Sequence, residues 1–294
     1  MRMATDISLA MPGALASHSV TVFADATRTP GGVVHPDMLA AEVPVALVFN
    51  GISHAVMMAT PQDLEVFALG FALSEGIVLN AGEVRGMDVV LADPAQSGLP
   101  AGMAAMQVHV EVSTRSFEQL KAHRRVLAGR TGCGVCGVES LAALDLPGTP
   151  VAANDWASSI DAALVLRAFS QLQAQQPLNA ESGALHAAGW ATLDGQLTQV
   201  FEDVGRHNAL DKLLGTLAKS GQLGMPGFVI MSSRASHELV RKCARLGVSA
   251  LATISAPTSM GVRMAELSGV RLWGLCRAPR AVLYAPGSGH AGIQ

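Results

Sequence analysis

In the first half of the chain, apolar and polar residues alternate over short stretches, which predicts strands. Two apolar runs within residues 43–59 flank Asn50-Gly51, a dipeptide that accepts the positive φ angles of a tight hairpin turn. Residues 84–91 and 103–112 are typical of further strands, the second with a clear two-residue period, and a loop containing proline and glycine separates them. We therefore expect a small sheet near the amino terminus.

Helical periods accompany these strands. Thr60 and Pro61 suit an N-cap and the first helical position, so a helix is expected to run from there to about Ser74. Further helices are expected over residues 117–127, where one face is basic, and over residues 158–175.

A second predicted hairpin leads into the most unusual string of the chain. Residues 186–201 contain two apolar runs around Asp194-Gly195, and residues 202–212 then read EDVGRHNALDK. His207 and Asp211 are four residues apart, so they share a helix face and are expected to be able to pair. Two interpretations are equally good: the wall of a functional site, or a helix start capped by Asn208 or Asp203 with a surface ion pair.

The last third of the chain predicts a β-α-β-α-β unit. Short apolar runs at residues 228–231, 248–254 and 270–275 alternate with helical segments at residues 236–246 and 258–267. A glycine follows each of the two helical segments, as is common after a helix end. The unit implies a parallel sheet with right-handed crossovers.

Polar residues collect where these strands end. Ser232-Ser233-Arg234 follow the first strand, residues 255–259 the second, and residues 277–280 the third. Since parallel strands end at one edge together with helix N-termini, these residues predict an anion pocket, most simply for a phosphate or nucleotide. The alternative is a set of capping serines and solvated arginines. The chain has neither a phosphate-loop string nor a dinucleotide glycine fingerprint, which argues against a standard NTPase or dehydrogenase.

Composition narrows the class of protein. The 294 residues are 50% hydrophobic and 15% charged, with a net charge of -3, so no long disordered or basic nucleic-acid-binding segment is expected. No stretch reaches the roughly 18 consecutive apolar residues of a membrane span. The first residues do not form a convincing signal peptide, and four cysteines do not suggest a disulfide scaffold, so we expect a cytoplasmic protein.

Two of the cysteines form a Cys-x-x-Cys pair in a glycine-rich stretch. Cys133 and Cys136 lie within Gly129–Gly137, where helix or strand is disfavoured and an exposed thiol loop is expected. Three arginines between residues 124 and 130 would favour thiolates if they lie nearby. The pair alone is also compatible with a structural zinc half-site, a redox dithiol or two ordinary cysteines.

Together these strings resemble the formate dehydrogenase accessory sulfurtransferase (sulfur-carrier) family. Each motif is weak alone, but their order and the string at residues 202–212 are specific. The resemblance covers nearly the whole chain except the first two dozen residues and the last several. The matching stretches are Glu42-Val-Pro44, Asn50-Gly51, residues 69–77, the cysteine loop, residues 202–212, Ser255-Ala-Pro-Thr258 and a carboxyl-terminal segment reaching Tyr284.

The resemblance implies a sulfur relay. A cysteine desulfurase would transfer sulfane sulfur to Cys133 as a persulfide, with Cys136 as an auxiliary thiol. The protein would then pass the sulfur to the molybdenum or tungsten of a bis(molybdopterin guanine dinucleotide) cofactor destined for formate dehydrogenase. That cofactor would be a bound substrate, and no permanent metal is expected. The resemblance also implies a homodimer, and neither nucleic acid nor membrane is expected as a partner.

The resemblance also identifies site residues beyond the cysteines. Glu202 and Asp203 match a family motif without an assigned role. At two places, residues 181–188 and Ser233, this chain has side chains where the family usually has glycine. The expected cofactor-binding residues are Leu275, Cys276, Arg277, Ala278, Pro279 and Arg280. The expected site wall comprises Arg206, His207, Ser232, Arg234, Ser255 and Thr258.

The expected fold class is α/β. We expect a smaller N-terminal α+β part of hairpin, helix and strands at residues 25–130. Residues 131–285 are expected to form a three-layer α/β/α part, which the family resemblance likens to the cytidine-deaminase-like fold, with the cysteine loop at its start. Residues 1–24 are expected to be a disordered tail, and residues 286–294 a second tail.

Two other functions compete with the sulfur relay. One is a non-catalytic chaperone that holds the cofactor for formate dehydrogenase, and the other is a zinc-dependent deaminase-like protein. Zinc deaminases combine a metal-ligating His or Cys and a nearby Glu with Pro-Cys-x-x-Cys. Here Gly132 replaces that proline and alanines follow His186, which argues against the zinc alternative.

Overall fold

The computed structural model describes residues 11–23, 32–100, 102–126 and 150–288. Its first strands, β1 (Leu15–Val22) and β2 (Val33–Ala40), pair antiparallel in a separate ribbon. Residues 1–24, which the sequence predicts to be a disordered tail, contain β1. Most residues of both strands are exposed, so neither has the buried alternate positions from which a strand is usually predicted.

A four-stranded sheet follows, with α1 (Leu64–Ser74) packed against it. Its strand order is β4-β3-β6-β5, and β3 and β6 are parallel whereas the other neighbours are antiparallel. The strands are β3 (Val43–Phe49), β4 (Ile52–Ala59), β5 (Val84–Leu91) and β6 (Met106–Val112). The predicted hairpin and both later strands are confirmed.

Asn50 and Gly51 make the predicted hairpin turn, with φ angles of 45° and 81°. The Asn50 side chain also donates to the Val112 carbonyl at 3.1 Å and accepts from the Val112 amide at 2.7 Å, which fixes the neighbouring strand. The predicted end of α1 is confirmed, but its start at Pro61 is wrong. Thr60 does not cap the helix because its backbone and hydroxyl are bound to a distant part of the chain, described below.

Besides α1, four α-helices precede β7 within the described ranges. The basic segment forms α3 (Thr114–Val126), and α4 (Ala162–Leu172) begins at Asp161, whose carboxylate accepts from the Leu164 amide at 2.9 Å. Both were predicted, with ends shifted by a few residues. The short helices α2 (Pro94–Ser97) and α5 (Pro177–Ser182) were not predicted.

The carboxyl-terminal half is built on a six-stranded sheet of order β12-β11-β10-β9-β7-β8. Neighbours among β9, β10 and β11 are parallel, and the other neighbours are antiparallel, so β8 runs in the same direction as β9. The strands are β7 (His186–Ala191), β8 (Leu197–Asp203), β9 (Phe228–Met231), β10 (Ala250–Thr253), β11 (Arg271–Arg277) and β12 (Arg280–Ala285). The predicted β-α-β-α-β unit is confirmed, whereas strand β12 was not predicted.

Helices cover both faces of this sheet. On one face α6 (Arg206–Lys219), α7 (His237–Arg245) and α8 (Ser259–Ser268) bury leucines and alanines against β9, β10 and β11. On the other face α4 packs against the same strands. The mixed α/β class with helices on both faces is thus confirmed. The likeness to cytidine deaminases remains a prediction, and the expected boundary at residues 130 and 131 lies outside the described residues.

The two halves meet where α1 crosses α6 at glycines. A Cβ atom on Gly70 would overlap the Asp211 carbonyl oxygen, and one on Gly215 would overlap the Val66 carbonyl oxygen. The backbones therefore approach more closely than any larger residue would permit. This crossing brings residues 69–77 against residues 202–212, two of the strings that carried the family resemblance.

Candidate functional site

Backbone hydrogen bonds join the three loops at the carboxyl ends of β9, β10 and β11. The Ser255 amide donates to the Ser233 carbonyl at 3.4 Å, and the Leu275 amide donates to the Ser255 carbonyl at 3.2 Å. The Thr258 amide donates to the Ala235 carbonyl at 2.9 Å. The loops are thus fixed relative to one another, and α7 and α8 both begin at this edge with their amide groups directed toward it.

Two predicted wall hydroxyls have structural partners. Ser232 Oγ accepts from the Ala187 amide at 2.8 Å, and Thr258 Oγ1 accepts from the Gly261 amide at 3.0 Å as the N-cap of α8. The capping interpretation thus holds for Thr258, whereas Ser232 joins the loop after β9 to strand β7. Hydroxyls used in this way position the loops and leave ligand binding to other groups at the edge.

The arginines at this edge are solvated. Arg234, Arg277 and Arg280 are exposed, and the last two are cross-strand partners on either side of the Ala278-Pro279 turn between β11 and β12. No hydrogen bond or ion pair joins these three guanidinium groups to the described residues. Guanidinium groups bind phosphate and carboxylate oxygens in pairs of parallel hydrogen bonds. The edge therefore presents cationic donors to solvent.

Leu275 and Cys276 introduce an irregularity in β11 just before these arginines. Leu275 has a φ angle of 53°, an unfavourable conformation for a branched side chain, and the pairing with β12 shifts register here. Cys276 is fully buried in the core beneath α4, and burial raises the pKa of its thiol to about 12. The Cys276 side chain is therefore not accessible to a ligand, whereas the side chains of residues 277–280 are exposed.

The first turn of α6 lies at the same edge, because β8 and β9 are parallel. Arg206 and His207 are half-buried there, and His207 Nε2 lies 2.9 Å from Glu238 Oε2 at the start of α7. The expected pairing of His207 with Asp211 is wrong. The side chains of residues 207 and 211 diverge because Asp211 is buried against α1 and α7.

Nearby charges shift two pKa values at this turn. Burial alone would raise the pKa of Glu238, but the adjacent His207, with smaller contributions from His237 and Arg206, lowers it. Burial lowers the pKa of His186, and the positive charge of Arg206 lowers it further. The corner around β7, α6 and α7 thus favours negative charge and disfavours additional positive charge.

The inner side of the same string is buried. Lys212 and Asp203 are fully buried, and Lys212 Nζ lies 2.7 Å from Asp203 Oδ2 and 3.2 Å from the Thr60 carbonyl oxygen. Glu202 accepts from the Leu178 and Asn179 amides at 3.0 and 2.8 Å, at the start of α5. These charges join separate elements inside the molecule, and the N-cap of α6 is Gly205, not Asn208 or Asp203. The interpretation as a helix start capped by one of those residues, with a surface ion pair, is therefore wrong.

A second buried lysine joins α7 to both α6 and α1. Lys242 Nζ lies 2.8 Å from Asp211 Oδ2, 2.8 Å from Glu75 Oε1 and 2.8 Å from Ser74 Oγ. Burial disfavours the ammonium group, yet Asp211 and Glu75 outweigh burial and raise the pKa of Lys242. Burial is likewise outweighed at Glu75, where Lys242 and Arg241 hold the carboxyl pKa well below its ordinary value.

Sequence reasoning missed Glu238, Ser74, Glu75 and Lys242 as partners of this region. Their partners are 31 or more residues away along the chain, beyond the reach of helix or strand spacing. The sequence contains only indirect indications of these contacts. Lysines and acidic residues occur on the same helices as apolar stripes, and glycines in α1 and α6 permit a close helix crossing.

The predicted sulfur-carrying residues, Cys133 and Cys136, lie outside the described residues. Among the described cysteines, Cys243 is fully buried, and burial raises the pKa of its thiol to about 12, which makes it a poor nucleophile. Over the described ranges, no three or more His, Cys, Asp and Glu side chains cluster in a way that could hold a metal ion. No helix within those ranges is long and apolar enough to cross a membrane.

Comparison with known proteins identifies a family. The model of the FdhD/NarQ family matches residues 40–289. A protein of Chromobacterium violaceum, named sulfur carrier protein FdhD, is 53% identical over 260 residues, which are 88% of this chain and 93% of that protein. A protein of Acinetobacter baylyi with the same name is 48% identical over 252 residues, 85% of this chain and 86% of its own length.

A solved structure supports the fold. A crystal structure described as that of a formate dehydrogenase accessory protein from Desulfotalea psychrophila superposes with a TM-score of 0.66. The match covers 92% of this chain and 96% of the other, at 24% sequence identity. At that identity the likeness concerns the fold alone.

Proposed function

This chain belongs to the FdhD/NarQ family, and on that premise we propose that it is a sulfur carrier required for formate dehydrogenase activity. Two relatives, each about half identical to this chain over most of its length, are named sulfur carrier protein FdhD. We further propose a cytoplasmic location, because a persulfide relay depends on thiols that stay reduced.

The proposed first step loads Cys133. Its thiolate attacks the outer sulfur of a cysteine desulfurase persulfide, so a new sulfur-sulfur bond forms on Cys133 and the desulfurase cysteine leaves as a thiolate. The sulfane sulfur keeps its oxidation state in this exchange, and no other electron donor is needed.

Release of the sulfur as sulfide requires two electrons. Attack of the Cys136 thiolate on the inner sulfur of the Cys133 persulfide supplies them, because it forms a Cys133-Cys136 disulfide and expels hydrosulfide. The recipient proposed here is the molybdenum or tungsten of the bis(molybdopterin guanine dinucleotide) cofactor, bound as a substrate. A separate dithiol reductant would then restore both cysteines for another cycle.

The strand edge is the proposed binding surface for that cofactor. The diphosphate groups of the cofactor require amide donors and guanidinium groups that can form paired hydrogen bonds. The strand edge presents Arg277, Arg280 and Arg234 beside the helix starts of α7 and α8. This observation is the structural support for the proposal. The same observation is compatible with a second candidate, a non-catalytic cofactor chaperone acting as a homodimer, because binding by these arginines and amide groups requires no thiol chemistry.

Mass spectrometry after incubation with a cysteine desulfurase and cysteine separates the two candidates. The carrier proposal predicts one added sulfur atom on the peptide that contains Cys133, and none in Cys133→Ser. An active desulfurase that leaves the wild-type protein unmodified would reject the relay and leave the chaperone.

The binding surface is tested by a double variant, Arg277→Gln with Arg280→Gln. We expect it to take up sulfur normally but to lose formate dehydrogenase activation. Arg263→Gln is the matched control, because Arg263 is an exposed arginine of α8 whose partner is Glu266. Equal activation by the double variant and the control would exclude these two arginines from cofactor binding.

A further inference from the structure

The carboxylate of Asp203 has more partners than an ordinary buried ion pair. Asp203 Oδ1 accepts from the Gly205 amide at 2.8 Å and from Asn208 Nδ2 at 2.9 Å. Asp203 Oδ2 accepts from the Thr60 amide at 3.1 Å and lies 2.7 Å from Lys212 Nζ. One oxygen thus holds the start of α6, and the other holds the end of β4 and the inner side of α6.

The start of α6 has no other side-chain cap. Gly205 is the N-cap residue, and the first turn of the helix contains no acidic residue. Asp203, two positions earlier, takes the amide of the N-cap residue itself. Asn208 adds a second connection, because its Nδ2 also donates to the Met58 carbonyl at 2.8 Å. The backbone of residues 205–208 is therefore fixed at both ends by groups from β4 and β8.

Arg206 and His207 are the two residues between these fixed points. Their backbone is held at Gly205 and Asn208, so the direction in which their side chains leave the helix is set by the Asp203 contacts. The position of His207 is completed by its 2.9 Å approach to Glu238. Rotation of this turn would carry both side chains away from the edge where β8 and β9 end.

We propose that Asp203 is a positioning residue, which fixes the first turn of α6 to the end of β4 so that Arg206 and His207 face the strand edge. The proposal rests on the proposed function in one respect, namely that this edge binds an anionic substrate. Asp203 itself is fully buried and does not touch the ligand. It acts through the backbone of the turn.

Two variants separate positioning from general stability. Asn208→Ala removes the second anchor of the turn without leaving a buried charge unpaired. Asp211→Asn is the matched control, because Asp211 is equally buried and also belongs to α6, but it pairs with Lys242 and Ser74 away from the turn. A merely structural role predicts that two comparably destabilised variants behave alike at the edge.

Two measurements on the full chain serve as readouts. The first is the binding of inorganic pyrophosphate by calorimetry, and the second is the NMR titration of His186, which lies opposite Asp203 in the β7–β8 register and is sensitive to the charge of Arg206. For Asn208→Ala we expect pyrophosphate binding about tenfold weaker, the equivalent of one misplaced charge-assisted hydrogen bond. We also expect the His186 titration to move toward its ordinary range, while Asp211→Asn leaves both readouts as in the wild type.

The outcomes distinguish the positioning role of Asp203 from the proposed anion-binding surface at the strand edge. An unchanged His186 titration in Asn208→Ala, or an equal shift in Asp211→Asn, overturns the positioning role. If the wild-type protein binds no pyrophosphate while the titration shifts only in Asn208→Ala, the positioning role stands and the proposed anion surface fails.

Discussion

The two sides of the string at residues 202–212 use their charges differently. On the inner side, Asp203, Asp211 and Lys212 are buried and each has several polar partners. On the outer side, Arg206 and His207 reach the edge where the strands end. A charge that is fully buried must be paired, whereas a half-buried charge is also stabilised in part by water. One short string therefore serves both packing and the proposed chemistry.

A residue that belongs to a family motif does not necessarily belong to the functional site. Residues 69–77 and 202–212 both carried the resemblance, yet Gly70 and Ser74 contact α6 in the interior, and the half-buried Glu75 pairs with Lys242 of α7. These residues hold the two halves of the molecule together. Only part of each string that identifies the family is exposed to a substrate.

Removal of an inner charge should have the largest effect on stability. Lys212→Met leaves the Asp203 carboxylate buried without its ammonium partner, so we expect a loss of about 3–5 kcal/mol of unfolding free energy. Urea denaturation measures it. Lys219→Met is the control, because Lys219 is exposed at the end of the same helix and should change stability by less than about 0.5 kcal/mol. Similar losses in both variants would contradict the buried-pair explanation.

The glycine crossing should be the next most sensitive feature. Gly215→Ala improves helix propensity, yet its methyl group would overlap the Val66 carbonyl of α1. We expect a net loss of about 1–3 kcal/mol, as in other overpacked cores. Urea denaturation again provides the measurement, and Thr216→Ala on the neighbouring, partly exposed position is the control. A stabilised Gly215→Ala protein would show that α1 and α6 can separate without cost.

Local patterns predicted the elements but could not predict this crossing. Strands β5 and β9 were predicted residue for residue, because apolar runs bounded by loops determine them locally. The first residue of α1 was wrong because Thr60 binds Asp203, which is 143 residues away. Strand β1 was not predicted because an exposed ribbon has no buried alternate positions.

Some features of the candidate site could likewise be predicted from the sequence, and others could not. The convergence of the loops after β9, β10 and β11 follows from parallel pairing, and the exposed arginines at residues 277 and 280 could be placed there from sequence. The partner of His207 could not, since Glu238 comes from a different helix. The four-residue spacing along the helix predicted Asp211 as the partner of His207, but Asp211 packs in the interior against α1 and α7.

Acid should weaken the inner network more than the outer pair. The pKa values of Glu75 and Glu238 are both lowered from an ordinary 4.5, so each contributes stability above that value and loses it as the pH falls through the folded pKa. Glu75 has the lower folded pKa. We therefore expect Glu75→Gln to flatten the fall in unfolding free energy below about pH 4.5 more than Glu238→Gln does.

Urea midpoints at several acidic pH values measure that difference. Glu111→Gln, at an exposed position of β6, controls for the loss of any carboxylate. If Glu238→Gln flattens the profile more than Glu75→Gln, the pair at the edge contributes more to folding than the interior network, and the comparison between the two sides is reversed.

Arg206→Gln is expected to have the smallest effect on the unfolding free energy. We expect it to change formate dehydrogenase activation much more than stability. Arg206 is half-buried on the outer side, so unfolding free energy should change by less than about 0.5 kcal/mol. Burial keeps the pKa of His186 low, but loss of the Arg206 charge should raise it, which NMR can detect. Formate dehydrogenase activation should fall about tenfold if Arg206 binds the anionic substrate. A variant that keeps full activation while the pKa of His186 rises would show that Arg206 shapes the local field without contacting the substrate, and that the outer side of the string is as structural as the inner.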